Sequence, residues 1–198
     1  MVDPGEPVVA KAVLRQRLLA RRRALSAEEG GAAAAAVADT LVQALAGVRT
    51  LAAFVPDPTE PGHGRLPAAL GRLRARVLLP VIPPVSRELD WAVDTGQLVP
   101  GRFGLQEPVG PRLGPDALGA ADVVVVPALA VDRLGIRLGR GGGYYDTSLV
   151  HARPDAVLVA LLFDGERVEE LPAEAHDRPV TAVVTPSGGW EELPGRSR

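Results

Sequence analysis

The run Val123–Pro127, VVVVP, constrains the fold of this chain more than any other stretch. Four consecutive β-branched residues leave a strand with no polar face, so it must be covered on both sides, as in the interior of a parallel sheet. Residues 50–55 (TLAAFV), 76–82 (RVLLPVI), 156–163 (AVLVALLF) and 182–185 (AVVT) read as further strands. Helical patterns lie between them. That alternation predicts an α/β fold: a three-layer, Rossmann-like domain with a central, mostly parallel sheet flanked by helices, in which ligands gather beyond the carboxyl ends of the strands.

The helices follow from periodicity. Val9, Val13, Leu14, Leu18 and Leu25 fall on one stripe over residues 9–25, while Arg15, Arg17, Arg21, Arg22 and Arg23 lie mostly elsewhere. Ser26 followed by Glu29 has capping-box spacing and opens an alanine-rich helix to about residue 46. Shorter helices are expected over residues 66–73 and 144–152, with PDPTEPGHG (56–64) as a loop. Residues 88–93, ELDWAV, alternate sufficiently for an edge strand, with Trp91 packed rather than functional. The Gly- and Pro-rich segment 95–119 is expected to form long loops with little regular structure. At about 150 residues per domain, residues 1–198 make one domain, with 1–8 and 188–198 as flexible tails.

Composition excludes several functions. Hydrophobic residues make up 46% of the chain and charged residues 23%, which is the balance of a packed globular protein. A net charge of −2 provides no basic face for nucleic acid. With no cysteine, disulfides, thiolate metal sites and cysteine nucleophiles are all absent. There is no apolar run of about 18 residues, and MVDPGEPVV lacks the order of a signal peptide, so no membrane association and a cytoplasmic location are expected. All but one of the 22 basic residues are Arg, which draws attention to Lys11.

Chemistry concentrates in residues 137–146, RLGRGGGYYD. Glycines at 139, 141, 142 and 143 permit positive φ and close backbone approach, so successive N–H groups can converge on one anion. Arg140 adds a planar fork of donors and Arg137 can reach the same oxygens. Tyr144 and Tyr145 offer flat amphipathic surfaces for a heteroaromatic ring, and Asp146 is a hard oxygen ligand of the kind magnesium uses beside phosphates. The string is neither a P-loop, since no Gly-Lys pair occurs, nor a dinucleotide fingerprint, since Gly139 and Gly141 lead to Tyr144. The residues themselves specify an anion, a flat ring and a metal, and go no further.

The longer string 122–146, DVVVVPALAVDRLGIRLGRGGGYYD, closely resembles the signature of 5-formyltetrahydrofolate cyclo-ligases, also called 5,10-methenyltetrahydrofolate synthetases. Lys11, Leu14 and Arg15 match that family's N-terminal KxxLR, Glu60 in PTEPG its substrate-binding acid, and residues 172–186 its closing HDxPV segment. The chain departs from the pattern at Ala128, Ala175 and Thr181, and Gly142 stands where some relatives have Lys.

The resemblance implies an ATP- and Mg2+-dependent ligase that acts on 5-formyltetrahydrofolate; a monomer is expected, although the sequence does not reveal oligomeric state. Under it, Arg140 and Tyr144 are the catalytic candidates. ATP would be bound by Lys11, Arg15, Arg137, Leu138, Gly139, Arg140, Gly141, Gly142, Gly143, Tyr144, Tyr145 and Asp177. The folate would contact Val55, Glu60, Arg140, Gly141, Gly142, Gly143 and Tyr144, and the metal Asp146 and Asp177. Lys11 and Arg15 lie one helical turn apart, a spacing that lets both reach one polyphosphate. Plainer readings stand beside these: Val55 as core, Glu60 as a solvated acid, Asp177 with Arg178 as a surface pair, His176 as structural and Asp164 as a turn cap. Other classes open to the sequence are a sugar-phosphate isomerase or acyl-CoA-linked transferase of similar architecture, and a non-catalytic folate or nucleotide binder.

Overall fold

A computed structural model of the protein describes residues 6–174 and 177–194. Two long helices come first, α1 (Glu6–Arg23) and α2 (Ala27–Ala44). The expected capping box starts the second: the Glu29 amide donates to Ser26 Oγ at 3.2 Å and the Ser26 amide to Glu29 Oε2 at 2.8 Å. There follow β1 (Thr50–Ala52), α3 (Leu66–Leu70), β2 (Arg76–Val81), β3 (Asp90–Val93), β4 (Leu98–Pro100), β5 (Gln106–Pro108) and β6 (Val123–Pro127). The chain continues through β7 (Ala130–Asp132), β8 (Arg137–Leu138), α4 (Tyr144–Ser148), β9 (Val157–Leu161), β10 (Arg167–Val168), β11 (Ala182–Thr185) and β12 (Gly189–Glu192).

The main sheet has seven strands in the order β12-β11-β9-β6-β1-β2-β3. Its interior pairings are parallel, while β3 and β12 close the edges antiparallel. From β1 the chain builds outward through β2 to β3, then returns to lay β6 on the other side of β1 and builds through β9 and β11. The order therefore reverses between β1 and β6. Loops leaving the carboxyl ends of these two strands diverge and leave a crevice.

Burial of β6 matches its sequence. Val124 and Val126 join Leu78, Trp91, Leu158 and Val183 on one face of the sheet, while Val123 and Val125 join Leu41, Leu51, Leu79 and Val159 on the other. Trp91 is fully buried in the edge strand, as expected. Helix α2 covers the second face.

Helix α1 does not pack against this sheet. Leu18 meets Leu129, Ile136, Leu138 and Leu171 over a small separate sheet, β10-β7-β8. Its anchor is an ion pair that amphipathicity did not announce. Arg22 Nε and Nη2 each donate to the Glu166 carboxylate at 2.7 Å, and Nη2 also donates to the Ala128 carbonyl at 2.6 Å. Both side chains are 1% exposed. The Phe163 amide donates to Glu166 at 2.7 Å, so the buried charges are well satisfied.

Three expectations need correction. Segment 95–119 is not mostly irregular: β4 and β5 form a hairpin, and residues 115–120 a 3-10 helix. The glycine-rich string, expected from the sequence to follow the VVVVP strand directly, is separated from it by β7 and β8; buried Asp132 shapes their turn by accepting the amides of Leu134 and Ile136, each at 2.9 Å. Residues 189–192 are no tail but the antiparallel strand β12, and helix α1 already runs from residue 6. Among the described residues no helix is long and apolar enough to cross a membrane.

Truncating one partner of a buried, hydrogen-bonded ion pair leaves a charge without compensation, at a cost of about 3–5 kcal/mol. Arg22→Ala should lower the unfolding free energy in urea by that order, and the double variant R22M/E166L should recover most of it. Equal destabilisation of the single and double variants would show that the pair matters for packing volume rather than charge.

Candidate active site

The crevice between the β1 and β6 loops is a cleft of about 340 Å³. One wall is the loop after β1, with Val55, Asp57 and Glu60. The opposite wall is the glycine string with Arg137, Arg140, Tyr144 and Tyr145. The third comes from the β4–β5 hairpin, which contributes Phe103, Leu105, Gln106 and Glu107.

Two of the four glycines use the conformation that glycine allows: Gly141 has φ 97° and Gly143 φ 76°. Gly143 is the N-cap of α4, where an L side chain would be strained. A Cβ at Gly142 would come within 3.1 Å of the Tyr144 ring. Among the described residues, the amides of Arg140, Gly141, Gly142 and Gly143 have no acceptor within the protein. A run of unsatisfied amides at a cleft is what an anion nest requires.

Arg140 spans the mouth. Its Nη2 lies 2.6 Å from Asp57 Oδ2 and donates to Thr59 Oγ1 at 2.7 Å, while Nε is 3.3 Å from Glu60 Oε1. The second Glu60 oxygen accepts the Asp57 amide at 3.0 Å. Glu60 is thus not a solvated loop acid; its side chain is only 10% exposed. Burial, and next the charge of Asp57, push its carboxyl above its ordinary value, with the Asp57 amide and Arg140 acting in the opposite sense. Val55 both packs against the core and lines the cleft.

Deeper in, Arg137 donates to Asp146 and, at 3.1 Å, to the Arg178 carbonyl. Burial pulls its guanidinium below the ordinary value, opposed first by Asp146 and then by Asp177, so both carboxylates act on one cation. The Tyr145 hydroxyl is buried with no partner among the described residues, and burial pushes its pKa up, which keeps the phenol protonated. Among the described residues no group of three or more His, Asp or Glu side chains could hold a metal. A protein-caged ion does not fit; magnesium, which keeps its waters and shares phosphate oxygens, needs only one or two carboxylates, and Asp146 lines the cleft as one.

Several expected residues lie beside the cleft rather than on it. Arg15 Nε donates to the Gly139 carbonyl at 2.9 Å, clamping α1 to the back of the glycine string. Lys11 is 3.1 Å from Glu174, whose amide donates to Asp177 at 2.8 Å, so lysine and aspartate share one turn. Leu138 points away into the cluster beneath α1 and does not line the cleft. Asp177 makes no pair with Arg178, which instead donates to the carbonyls of Leu149 and Ala152, both at 2.7 Å. Asp164 is outside the cleft, accepting the amide and hydroxyl of Ser187 at 3.1 and 2.8 Å. His176 and Ala175 lie outside the described residues. Of the departures, the Ala128 carbonyl accepts Arg22, and the Thr181 hydroxyl accepts the Leu158 amide at 3.1 Å.

Sequence reasoning missed Asp57, Thr59, Glu107 and Phe103. Phe103 is 71% exposed, has φ 56°, and sits 6.5 Å from the Tyr144 ring. An exposed aromatic between Gly101 and Gly104 was the available signal.

A mostly parallel α/β sheet whose strand order reverses beside a glycine loop, two arginines and the partly buried Asp57 and Glu60 defines an α/β protein with a polar cleft at its switch point. The model of the 5-formyltetrahydrofolate cyclo-ligase family matches residues 7–186. A 5-formyltetrahydrofolate cyclo-ligase of Mycolicibacterium smegmatis is 43% identical over 185 residues, covering 91% of this chain and 95% of the relative. One from Escherichia coli is 37% identical over 149 residues, 72% of this chain and 80% of the relative. In structure the chain is similar to the 5,10-methenyltetrahydrofolate synthetase of Aquifex aeolicus, with a TM-score of 0.72, 29% identity and 95% of each chain covered. The Mycoplasma pneumoniae 5,10-methenyltetrahydrofolate synthetase, at 20% identity and a TM-score of 0.68, shares the fold. The chain belongs to the 5-formyltetrahydrofolate cyclo-ligase family, and is therefore a ligase.

Glu60 holds its proton more tightly in the folded protein than in the unfolded chain, so its contribution to stability falls as pH rises from about the ordinary value of 4.5 upward through the raised one. Glu60→Gln removes that titration. In urea unfolding at a series of pH values, the stability of E60Q relative to the parent should start near zero in acid and grow with pH; a constant or shrinking difference would mean that Arg140 outweighs burial.

Proposed function

We propose that the chain, acting as one domain over residues 1–198, cyclises 5-formyltetrahydrofolate to 5,10-methenyltetrahydrofolate with consumption of ATP in the presence of magnesium. The observation that carries this reading is the half-exposed Arg140 guanidinium held at the mouth of the cleft beside four amides without internal acceptors. That arrangement suits a phosphoryl group in transit.

The reaction needs a better leaving group than formamide oxygen. The formyl oxygen attacks the γ-phosphorus of ATP and ADP departs, giving an iminium phosphate. N10 then attacks the activated carbon and loses its proton, and phosphate leaves as the five-membered ring closes. Such transfers rely on alignment and charge neutralisation more than on covalent help from the protein. Arg140 and the amides of residues 140–143 neutralise the moving phosphoryl group. Lys11, Arg15 and Arg137 flank the polyphosphate, with Leu138 and Gly139 contributing backbone and Tyr145 the nucleotide side of the wall. Tyr144 and Val55 pack against the reduced pterin, and Glu60 accepts hydrogen bonds from its N–H edge. Asp146 and Asp177 would hold magnesium beside the phosphates, and the ion would supply further charge neutralisation there. We assign the enzyme to the cytoplasm as a monomer without nucleic-acid or membrane partners.

Formation of methenyltetrahydrofolate, followed by its absorbance with and without ATP and magnesium, tests the reading directly. Tight folate binding without product would make the chain a binding module instead. Arg140→Ala should lower kcat by about 100-fold while the protein stays folded, because a donor to the transferring group is lost; loss of soluble protein would assign it a structural role. Lys11→Ala should raise KM for ATP by about tenfold, the ~1.4 kcal/mol scale of one charge-assisted contact, and change KM for folate less. Equal effects on both would contradict the placement of α1 beside the nucleotide.

A further inference from the structure

Asp57 makes the shorter of the two ion pairs to Arg140, at 2.6 Å against 3.3 Å for Glu60. Its own position does not depend on the arginine. The Thr59 amide and hydroxyl donate to Asp57 Oδ1 at 2.7 and 2.8 Å, which leaves Oδ2 for Arg140. Pro56 and Pro58 on either side restrict the backbone that carries it. Asp57 is thus a fixed post, only 17% exposed, to which the more exposed guanidinium is tied.

Glu60 holds the other edge of the same guanidinium through Oε1, since Oε2 is taken by the Asp57 amide. A ligand N–H that reaches Oε1 draws on the same negative charge that Arg140 Nε shares at 3.3 Å, and weakens that already long contact. Once that contact is lost, the guanidinium remains hinged at Nη2, and Nη1, which has no acceptor among the described residues, is free to turn to an anion.

We propose that Asp57 is a positioning residue that couples the two substrates: the folate takes Glu60 from Arg140, and Asp57 keeps the released guanidinium at the cleft mouth where the nucleotide's terminal phosphate arrives. The inference rests on the function proposed above and adds to it a preferred thermodynamic order. Folate and nucleotide each tighten the other's binding, by the same factor in both directions.

The test is a pair of titrations with a non-hydrolysable ATP analogue, with and without saturating 5-formyltetrahydrofolate, on the full chain. In the parent enzyme folate should tighten the analogue by about fivefold or more. In Asp57→Asn, which retains an acceptor for Thr59 but not the charge, that coupling should largely vanish. Its kcat should fall about tenfold or more, the scale of a displaced catalytic group, while folate binding in the absence of nucleotide changes little. Thr59→Val, which removes a donor to Asp57 and an acceptor of Arg140 Nη2 without altering charge, should weaken the coupling in the same direction. A merely structural Asp57 would lower thermal stability while leaving coupling and kcat per folded molecule intact, and that result overturns the proposal. Turnover by the parent without any coupling overturns it alone, whereas absence of product from the parent overturns the proposed function as well.

Discussion

Placement of β1 beside β6, at the point where the strand order reverses, is the constraint on which the rest of the cleft depends. Parallel neighbours send their carboxyl ends to the same edge of the sheet. Because the chain leaves β1 in one direction and β6 in the other, the two following loops part and face each other across a gap. One brings carboxylates, Asp57 and Glu60, and the other brings Arg140 among glycines. Opposite charges then meet across a junction between segments about eighty residues apart in sequence, as the Arg140 to Thr59 bond measures. The four valines of β6 hold that junction, since neither face of the strand can be exposed without loss of apolar burial.

The N-terminal helix is fixed to this framework by polar contacts as well as by the apolar cluster around Leu18. Arg22 reaches Glu166 and the backbone just beyond β6, and Arg15 reaches the glycine string itself. Each arginine joins α1 to a segment more than a hundred residues away. The helix thereby braces the back of the loop whose front faces the cleft. Its lysine is brought to the Glu174 turn, close to Asp177, so segments remote in the chain meet beside the cleft.

The parts that were legible in the sequence share a physical cause: their signal is local. The buried strands announce themselves by uninterrupted β-branched residues, the capping box by a spacing of three, and the glycine string by a density of glycine and arginine that packing does not require. The hairpin over residues 98–108 was invisible because two Gly and two Pro interrupt its eleven residues, and a contact remote in sequence helps to seat it, the Ile82 amide donating to Glu107 Oε1 at 3.1 Å. Leu138 was read as part of the site because it sits inside the signature string. In β8 it alternates to the opposite side from Arg137 and packs under α1. Asp132, in the same string, serves the turn between β7 and β8.

By itself the sequence determined the class of fold, the strands and main helices, and a string of residues fit for an anion, since each of these follows from residue types and their spacing along a short window. Only the tertiary structure decided which carboxylates meet which arginines. Asp57 as well as Glu60 receives Arg140, Asp177 acts on Arg137, and Arg22 joins Leu14 and Leu18 in anchoring the first helix. Those choices depend on distance and burial between segments remote in the chain, and such quantities exist only once the sheet has set its strand order.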